Sequence, residues 1–246
     1  MAFVLNRGKI SVMTAKDDDT ITSEEASRYR EYVGQRSSHR PLAYILGTRE
    51  FMGLDFEVNE STLIPRPETE TVVEAALDIV NNTDVKTILE ICTGSGCIAV
   101  SLAVHCPALD ITASDISAGA LRIAKRNAVR HGASIRFVQS DLFAGLDPRA
   151  YDMIIANPPY IPHDEINALP NSVKDYEPHA ALDGGTDGLG FYRLIIPKTE
   201  KIIVLEIGYN QAKHVANILI RNNFGHIRII NDLAGHNRVI TAQRNG

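Results

Sequence analysis

Thr87-Ile-Leu-Glu90-Ile-Cys92-Thr-Gly94-Ser-Gly96-Cys-Ile-Ala99-Val-Ser-Leu-Ala-Val-His-Cys106 is the stretch on which the reading of this chain turns. Thr87–Ile91 is a short apolar strand, and Cys97–Cys106 is an apolar helix stopped by Pro107. Between them Gly94 and Gly96 permit a tight turn and let a ligand approach the backbone without a Cβ in the way. Ala99 permits close packing of the helix on the strand.

Toward the C-terminus the alternation continues. Asp110–Asp115 is a strand, Ala118–Arg130 a helix closed by Gly132, and Ser134–Gln139 and Tyr151–Ala156 are further strands. A long loop leads to a helix around Leu189–Ile196, then a strand Lys201–Ile207 and a helix Asn210–Asn222. His226–Ile230 and Arg238–Gln243 end the chain as strands too close in sequence for a helical crossover, so they pair antiparallel. Strands alternating with helices predict an α/β fold: a mostly parallel, seven-stranded sheet covered on both faces and ending in an antiparallel hairpin.

Toward the N-terminus, a helix from Glu68 to about Val80 buries Val72, Val73, Ala76, Leu77 and Val80 at helical spacing. Glu50–Val58 reads as two short strands around Gly53, with Leu54, Phe56 and Val58 alternating. A helix from Ser23 to about Gln35 starts in a capping box of Thr22 with Glu25 and gathers Ala26, Tyr29 and Val33 on one face. Residues 1–21, with Asp17, Asp18 and Asp19, show no period and read as a solvated arm. The expected domains are a shortened N-terminal helical region at 1–45, a β-hairpin linker at 46–64 and a larger domain at 65–246.

Composition narrows the function classes. The chain has 246 residues, 44% of them hydrophobic and 22% charged, values ordinary for a globular protein. Runs such as Ile98–Val104 are too short to span a bilayer, and no signal peptide is visible at Met1–Leu5. Cys92, Cys97 and Cys106 lack metal-site or disulfide-framework spacing, so no metal is expected; they read as free thiols of a reducing, cytoplasmic compartment. A net charge of −5 argues against stable nucleic-acid binding.

Three places carry chemistry. The glycine turn lies where open α/β sheets bind ligands, at the carboxyl ends of the strands. Asp115 ends the next strand, twenty-five positions after Glu90, where an acid accepts from both hydroxyls of a ribose. Together they imply an adenosine-containing cofactor. Asn157-Pro158-Pro159-Tyr160 follows the strand Tyr151–Ala156. Its two prolines remove two donors and stiffen the turn. The Asn157 side-chain oxygen and the Pro158 carbonyl can then accept both hydrogens of one NH₂ group, with Tyr160 as a flat face against it.

With these residues the chain resembles the S-adenosylmethionine-dependent methyltransferases that act on planar nitrogen. More narrowly it resembles the HemK-type protein-glutamine N5-methyltransferases that modify peptide chain release factors. The matching pieces are Pro65-Arg-Pro-Glu-Thr-Glu70, Cys92–Gly96, Asp115, Ser140–Phe143, Asn157–Pro162, Glu177–Leu189, Leu205–Tyr209 and Gly235–Val239. The resemblance spans roughly residues 40 to 244 and leaves the first twenty outside it. It differs in a shorter N-terminal helical region, the lack of a Pro-Gly-Gly turn before Lys201, and Glu90 where an Asp is usual.

The resemblance implies a Rossmann-like class I methyltransferase fold and the cofactor S-adenosylmethionine, left as S-adenosylhomocysteine. It implies that Cys92, Thr93, Gly94, Ser95 and Gly96 wrap the amino-acid half of the cofactor and that Glu90 holds its ammonium. Asp115 would bind the ribose, Asp141 accept from the adenine amine and Leu142 cover the ring. Asn157, Pro158, Pro159 and Tyr160 would hold the substrate amide next to the cofactor. Arg66 and Glu68 would order the rim or touch the substrate backbone; Pro67 and the acids also suit a helix start. His163 and Asp164, just beyond, are further candidates to accept a proton.

The substrate expected is the glutamine of the Gly-Gly-Gln motif of a release factor. The alternatives are a ribosomal-protein glutamine or an exocyclic amine of a nucleic-acid base. A nicotinamide-dependent dehydrogenase would give the Asn157–Tyr160 turn no role. A non-catalytic binding protein is the remaining reading.

Overall fold

The computed structural model describes residues 1–16 and 19–246. Asp17 and Asp18 of the acidic run lie outside the described residues. The chain opens with three helices, α1 (Lys9–Met13), α2 (Ser23–Ser37) and α3 (Leu42–Leu46). A small antiparallel hairpin follows, β1 (Thr48–Phe51) with β2 (Leu54–Glu57). Then come α4 (Glu70–Asn82), β3 (Thr87–Ile91), α5 (Cys97–His105), β4 (Asp110–Asp115), α6 (Ala118–Arg130), β5 (Arg136–Gln139) and β6 (Met153–Ala156). After two short helices, α7 (Asn171–Lys174) and α8 (Gly190–Ile195), the chain ends in β7 (Ile202–Glu206), α9 (Ala212–Arg221), β8 (Phe224–Asn231) and β9 (Asn237–Arg244).

Seven strands form one sheet in the order β5-β4-β3-β6-β7-β9-β8. The first five are parallel, and β9 runs antiparallel to both β7 and β8. The central strands show why. Ile88, Leu89 and Ile91 in β3, and Met153, Ile154 and Ile155 in β6, are all at most 1% exposed, which requires cover on both faces. α4 and α5 cover one face with Val72, Val73, Ala76, Ile98 and Leu102. α8 and α9 cover the other with Tyr192, Ile195, Val215 and Leu219. The strand order reverses between β3 and β6, and the crevice at that switch point is where such a sheet binds ligands.

The N-terminal region departs from expectation. Residues 1–21 include α1, and Val4 is buried, with the Phe3 ring 6.3 Å from that of Tyr32 in α2. The capping box of Thr22 with Glu25 is present. The expected apolar face of α2 is uncovered, because no described segment packs over it: Tyr29 and Val33 stay exposed. The expected loop from 157 to 189 is also more ordered than its composition suggests. It contains α7, 3-10 turns at His163–Ala168 and His179–Ala181, and a parallel bridge between Ile161 and Asp183.

Candidate active site

A cavity of about 450 Å³ opens at the carboxyl ends of β3, β4 and β6, within the size range of small-molecule sites. Glu90, Cys92, Thr93, Gly94, Ser95, Asp115, Asp141, Leu142, Asn157, Pro159 and Arg66 all contribute to its wall. Residues predicted from five separate stretches of sequence are thus brought together around one space.

The glycine loop splits its labour. Gly94 has φ +55° and nothing within 4 Å of where a Cβ would stand, so its open side faces the cavity. Gly96 does not line the cavity. At φ +79° a Cβ there would meet the Cβ of Ala124 at 3.0 Å, so this glycine serves the approach of α6 to the loop. Sequence reasoning assigned both to the ligand; the second is a packing residue. Cys92 sits at φ +60°, and burial pushes its thiol well above the ordinary range, so it is a neutral apolar wall.

Two acids stand behind this loop. Glu90 is buried; its Oε2 accepts from the Thr93 hydroxyl at 2.6 Å and the Ala99 N–H at 3.1 Å. Burial outweighs these bonds and raises its carboxyl to about 8, with Asp115 adding repulsion. Asp115 accepts from the Gly94 N–H at 2.9 Å and the Ser117 N–H at 2.8 Å, and burial raises it too. A carboxylate has about four acceptor sites, so Asp115 keeps acceptor capacity for a ligand while holding the loop. Two desolvated acids with no basic side chain bonded to them suit a ligand that brings a positive charge. The residues fit S-adenosylmethionine, whose ammonium and sulfonium are cationic.

Leu142, at φ +49°, and Asp141 also line the cavity. Sequence reasoning missed Ile116, which follows Asp115, is 60% exposed and lines the same wall. The signal was available: an apolar residue directly after an acid that ends a buried strand. Phe191 at the start of α8 was also missed, and only tertiary packing places it there.

The Asn157–Tyr160 turn is divided in the same way. Asn157 and Pro159 line the cavity, and Pro158 and Tyr160 do not. The Tyr160 hydroxyl donates to Glu206 Oε1 at 3.2 Å, and its backbone carbonyl accepts from Gln211 Nε2 at 2.8 Å. Tyr160 therefore anchors the turn to the sheet. The segment Glu177–Leu189 buttresses it from the other side: Ile161 N–H donates to Leu182 O at 3.0 Å and Gly184 N–H to Ile161 O at 2.8 Å. A Cβ on Gly188 would lie 2.3 Å from Tyr160 O, and one on Gly184 would lie 2.7 Å from Tyr160 Cα.

Arg66 belongs to the rim through its bonds. Its guanidinium pairs with Glu177 Oε1 at 2.5 Å, and Glu177 Oε2 accepts from the Ile64 N–H at 3.0 Å. Pro65–Glu70 and Glu177–Leu189 are clasped at the mouth by this pair. Glu68 is half-buried and does not line the cavity. His163 points away from it: the exposed ring pairs with Asp183 at 2.8 Å, which raises its pKa, and Asp164 is not at the wall either.

A mostly parallel seven-stranded sheet ending in an antiparallel hairpin, with a glycine turn, Asp115 and the Asn157–Tyr160 turn at the carboxyl ends of its strands, is the fold of a class I methyltransferase. The sequence model of the methyltransferase small domain matches residues 72–173, and that of the PrmC N-terminal domain matches residues 1–47. The first twenty residues, read as outside the resemblance, fall inside that second match. The release factor glutamine methyltransferase of Geobacter sulfurreducens is 42% identical over 229 residues, covering 91% of this chain and 80% of the relative. That of Clostridium acetobutylicum is 38% identical over 258 residues, covering 100% of this chain and 90% of the relative. The chain belongs to the release factor glutamine methyltransferase family.

Solved structures agree on the fold. The METTL16 catalytic domain in complex with the MAT2A 3'UTR hairpin 6 shares 15% identity, with a TM-score of 0.67 over 99% of this chain and 91% of that one. A methyltransferase from Pyrococcus furiosus shares 14% identity, with a TM-score of 0.57 over 89% and 100%.

Proposed function

We propose that this chain methylates the side-chain amide nitrogen of the glutamine in the Gly-Gly-Gln motif of a peptide chain release factor. The observation that carries the reading is that Asn157 and Pro159 share one cavity wall with Glu90, Gly94, Asp115 and Leu142. A planar amide held by the turn thereby stands beside the cofactor's place. When bound, S-adenosylmethionine supplies a methyl group activated by its sulfonium.

The protein's own contribution is orientation. A carboxamide nitrogen is a poor nucleophile because its lone pair is delocalised into the carbonyl. The Asn157 oxygen, at the cavity wall, accepts one of its two hydrogens and favours a pyramidal, more nucleophilic nitrogen, while Pro158, outside that wall, stiffens the turn. Fixed geometry of this kind saves on the order of 7–11 kcal/mol of barrier. Glu90 holds the cofactor ammonium, Asp115 the ribose, and Asp141 with Leu142 the adenine. Arg66, clasped to Glu177, orders the mouth through which the glutamine enters. Residues 1–45, 46–64 and 65–246 divide the chain into a helical region, a hairpin linker and the catalytic domain. No helix among the described residues is long and apolar enough to cross a membrane, and we place the enzyme in the cytoplasm with its substrate.

The test is mass spectrometry of release-factor peptides after incubation with the protein and labelled S-adenosylmethionine, with ribosomal RNA in a parallel arm. A gain of one methyl on the Gly-Gly-Gln glutamine is expected. Label on RNA alone would overturn the reading. The net charge of −5 favours the protein substrate over a base amine.

A further inference from the structure

Asn157 can accept from a substrate NH₂ only if its own amide is turned the right way. Its oxygen must face the cavity and its nitrogen must be occupied elsewhere. In the structure the Asn157 Nδ2 donates to the Thr69 Oγ1 at 3.4 Å. Thr69, at the end of the Pro67–Thr69 turn, is 2% exposed, so water does not decide where its hydroxyl proton goes.

Glu206, the last residue of β7, supplies the missing partner. It is wholly buried; Oε1 takes the Tyr160 hydroxyl, and Oε2 has no hydrogen-bond partner among the described residues. The Thr69 hydroxyl lies close enough to this carboxyl to favour its charged form. Neither Thr69 nor Glu206 has a role in the chemistry derived above. A buried acceptor without a donor is costly, which argues that the site makes use of it.

We propose that Thr69 and Glu206 are positioning residues that set which end of the Asn157 amide faces the substrate. An ionised Glu206 can only accept, so the Thr69 proton is drawn to it. The Thr69 oxygen is then left to accept from Asn157 Nδ2, and the Asn157 oxygen faces the cavity. With Glu206 protonated, Thr69 is free to donate to Asn157 instead. The amide turns over, and its NH₂ confronts the NH₂ of the substrate.

The groups facing Glu206 come from every element around it. Arg238 of β9 favours its charge and Glu68 opposes it. The Tyr160 hydroxyl donates to it, Tyr192 of α8 donates to its backbone carbonyl at 3.0 Å, and Cys97 of α5 presents a neutral thiol. Burial lifts the carboxyl to about 7, so the relay switches close to neutral pH.

The inference rests on the proposed amide substrate, and its test does not. The Asn157 side-chain NH₂ resonances, identified by their disappearance in Asn157→Asp, are followed without substrate in the wild type, Thr69→Val and Thr69→Ser. The nearly isosteric valine is expected to shift them, and the serine, which keeps the hydroxyl, to leave them in place. Turnover on a Gly-Gly-Gln peptide should fall at least about tenfold in kcat for Thr69→Val, with KM, cofactor affinity and Tm little changed and serine restoring the rate. The wild-type rate should decline as pH falls through about 7, and the valine variant should lose that inflection. Asn157 resonances that respond no more to valine than to serine would overturn the proposal, whether or not the glutamine is methylated.

Discussion

The two halves of the cavity are built in opposite ways. The cofactor half is local: Glu90, Cys92, Gly94 and Ala99 lie within ten residues, and Asp115 ends the strand next door. Its hydrogen bonds, Thr93 to Glu90 and Ala99 to Glu90, close over short separations. The substrate half is assembled from afar. The turn Asn157–Tyr160 is held by Thr69, Glu206, Gln211 and the glycines of 184–188, drawn from four stretches of chain. A local site tolerates change in the rest of the molecule; an assembled one depends on several contacts being right at once.

Gly188→Ala presses hardest on that contrast. The residue has φ +70°, and an added Cβ would come within 2.3 Å of Tyr160 O and 2.7 Å of Gln211 Nε2. Backbone cannot give way as a side-chain tip can, so a loss of about 3 kcal/mol or more is expected. Denaturant unfolding measures the loss. Gly94→Ala, at an equally left-handed backbone with nothing within 4 Å, should cost markedly less stability while impairing cofactor binding. Equal melting of the two variants would mean that the glycines of the buttress are no more constrained than those of the loop.

Asn157→Ala separates chemistry from folding. Its one side-chain bond, to Thr69, is long, so wild-type melting is expected. Turnover should fall at least about a hundredfold, as when an orienting polar contact at a reacting group is removed. Single-turnover kinetics with saturating cofactor makes the measurement. A near-normal rate would take Asn157 out of the site.

How much could be read from the sequence follows the same division. β3, β4 and α6 were placed to the residue because each announces itself locally: a β-branched run buried on both faces, or a helix closed by Gly132. The glycine loop and Asp115 were legible for the same reason. Thr69 was legible only within the matched segment Pro65–Glu70 at a helix start, and Glu206 only within the matched segment Leu205–Tyr209 at the end of a strand, neither with a role of its own. Their meaning depends on 136 residues of intervening chain folding first, which no window of sequence reveals. Tyr160 was read as a platform for the substrate and is an anchor to Glu206. That difference lies in which way the turn rolls, and the glycines of 184–188 decide it.

Asp115→Ala sharpens the contrast from the cofactor side. Two ribose hydroxyls lose a charged acceptor, and the Gly94 and Ser117 amides lose theirs. Affinity for S-adenosylmethionine should weaken by about 1–3 kcal/mol. Calorimetry should show this while the Asn157 amide resonances stay put, since among the described residues no side-chain hydrogen bond joins Asp115 or the glycine loop to the Asn157–Tyr160 turn. Movement of those resonances would mean that the halves are coupled.

The smallest effect concerns the charge stored at Glu90. Burial lifts this carboxyl to about 8, whereas an unfolded chain releases the proton near ~4.3. Between those values the folded protein binds a proton that the unfolded chain does not, so the group lowers stability as pH rises through this window. Glu90→Gln keeps an oxygen to accept from Thr93 and Ala99 and removes the titration. The cofactor-free variant should therefore match the wild type near pH 5 and exceed it by at least ~1 kcal/mol at pH 8.5. Saturating S-adenosylmethionine should shrink that gap, because its ammonium favours the carboxylate and not the amide. Chemical denaturation across the pH range, with and without cofactor, tests both statements. If the gap does not respond to cofactor, Glu90 does not face the ammonium, and the cofactor half of the cavity would need a different counter-ion.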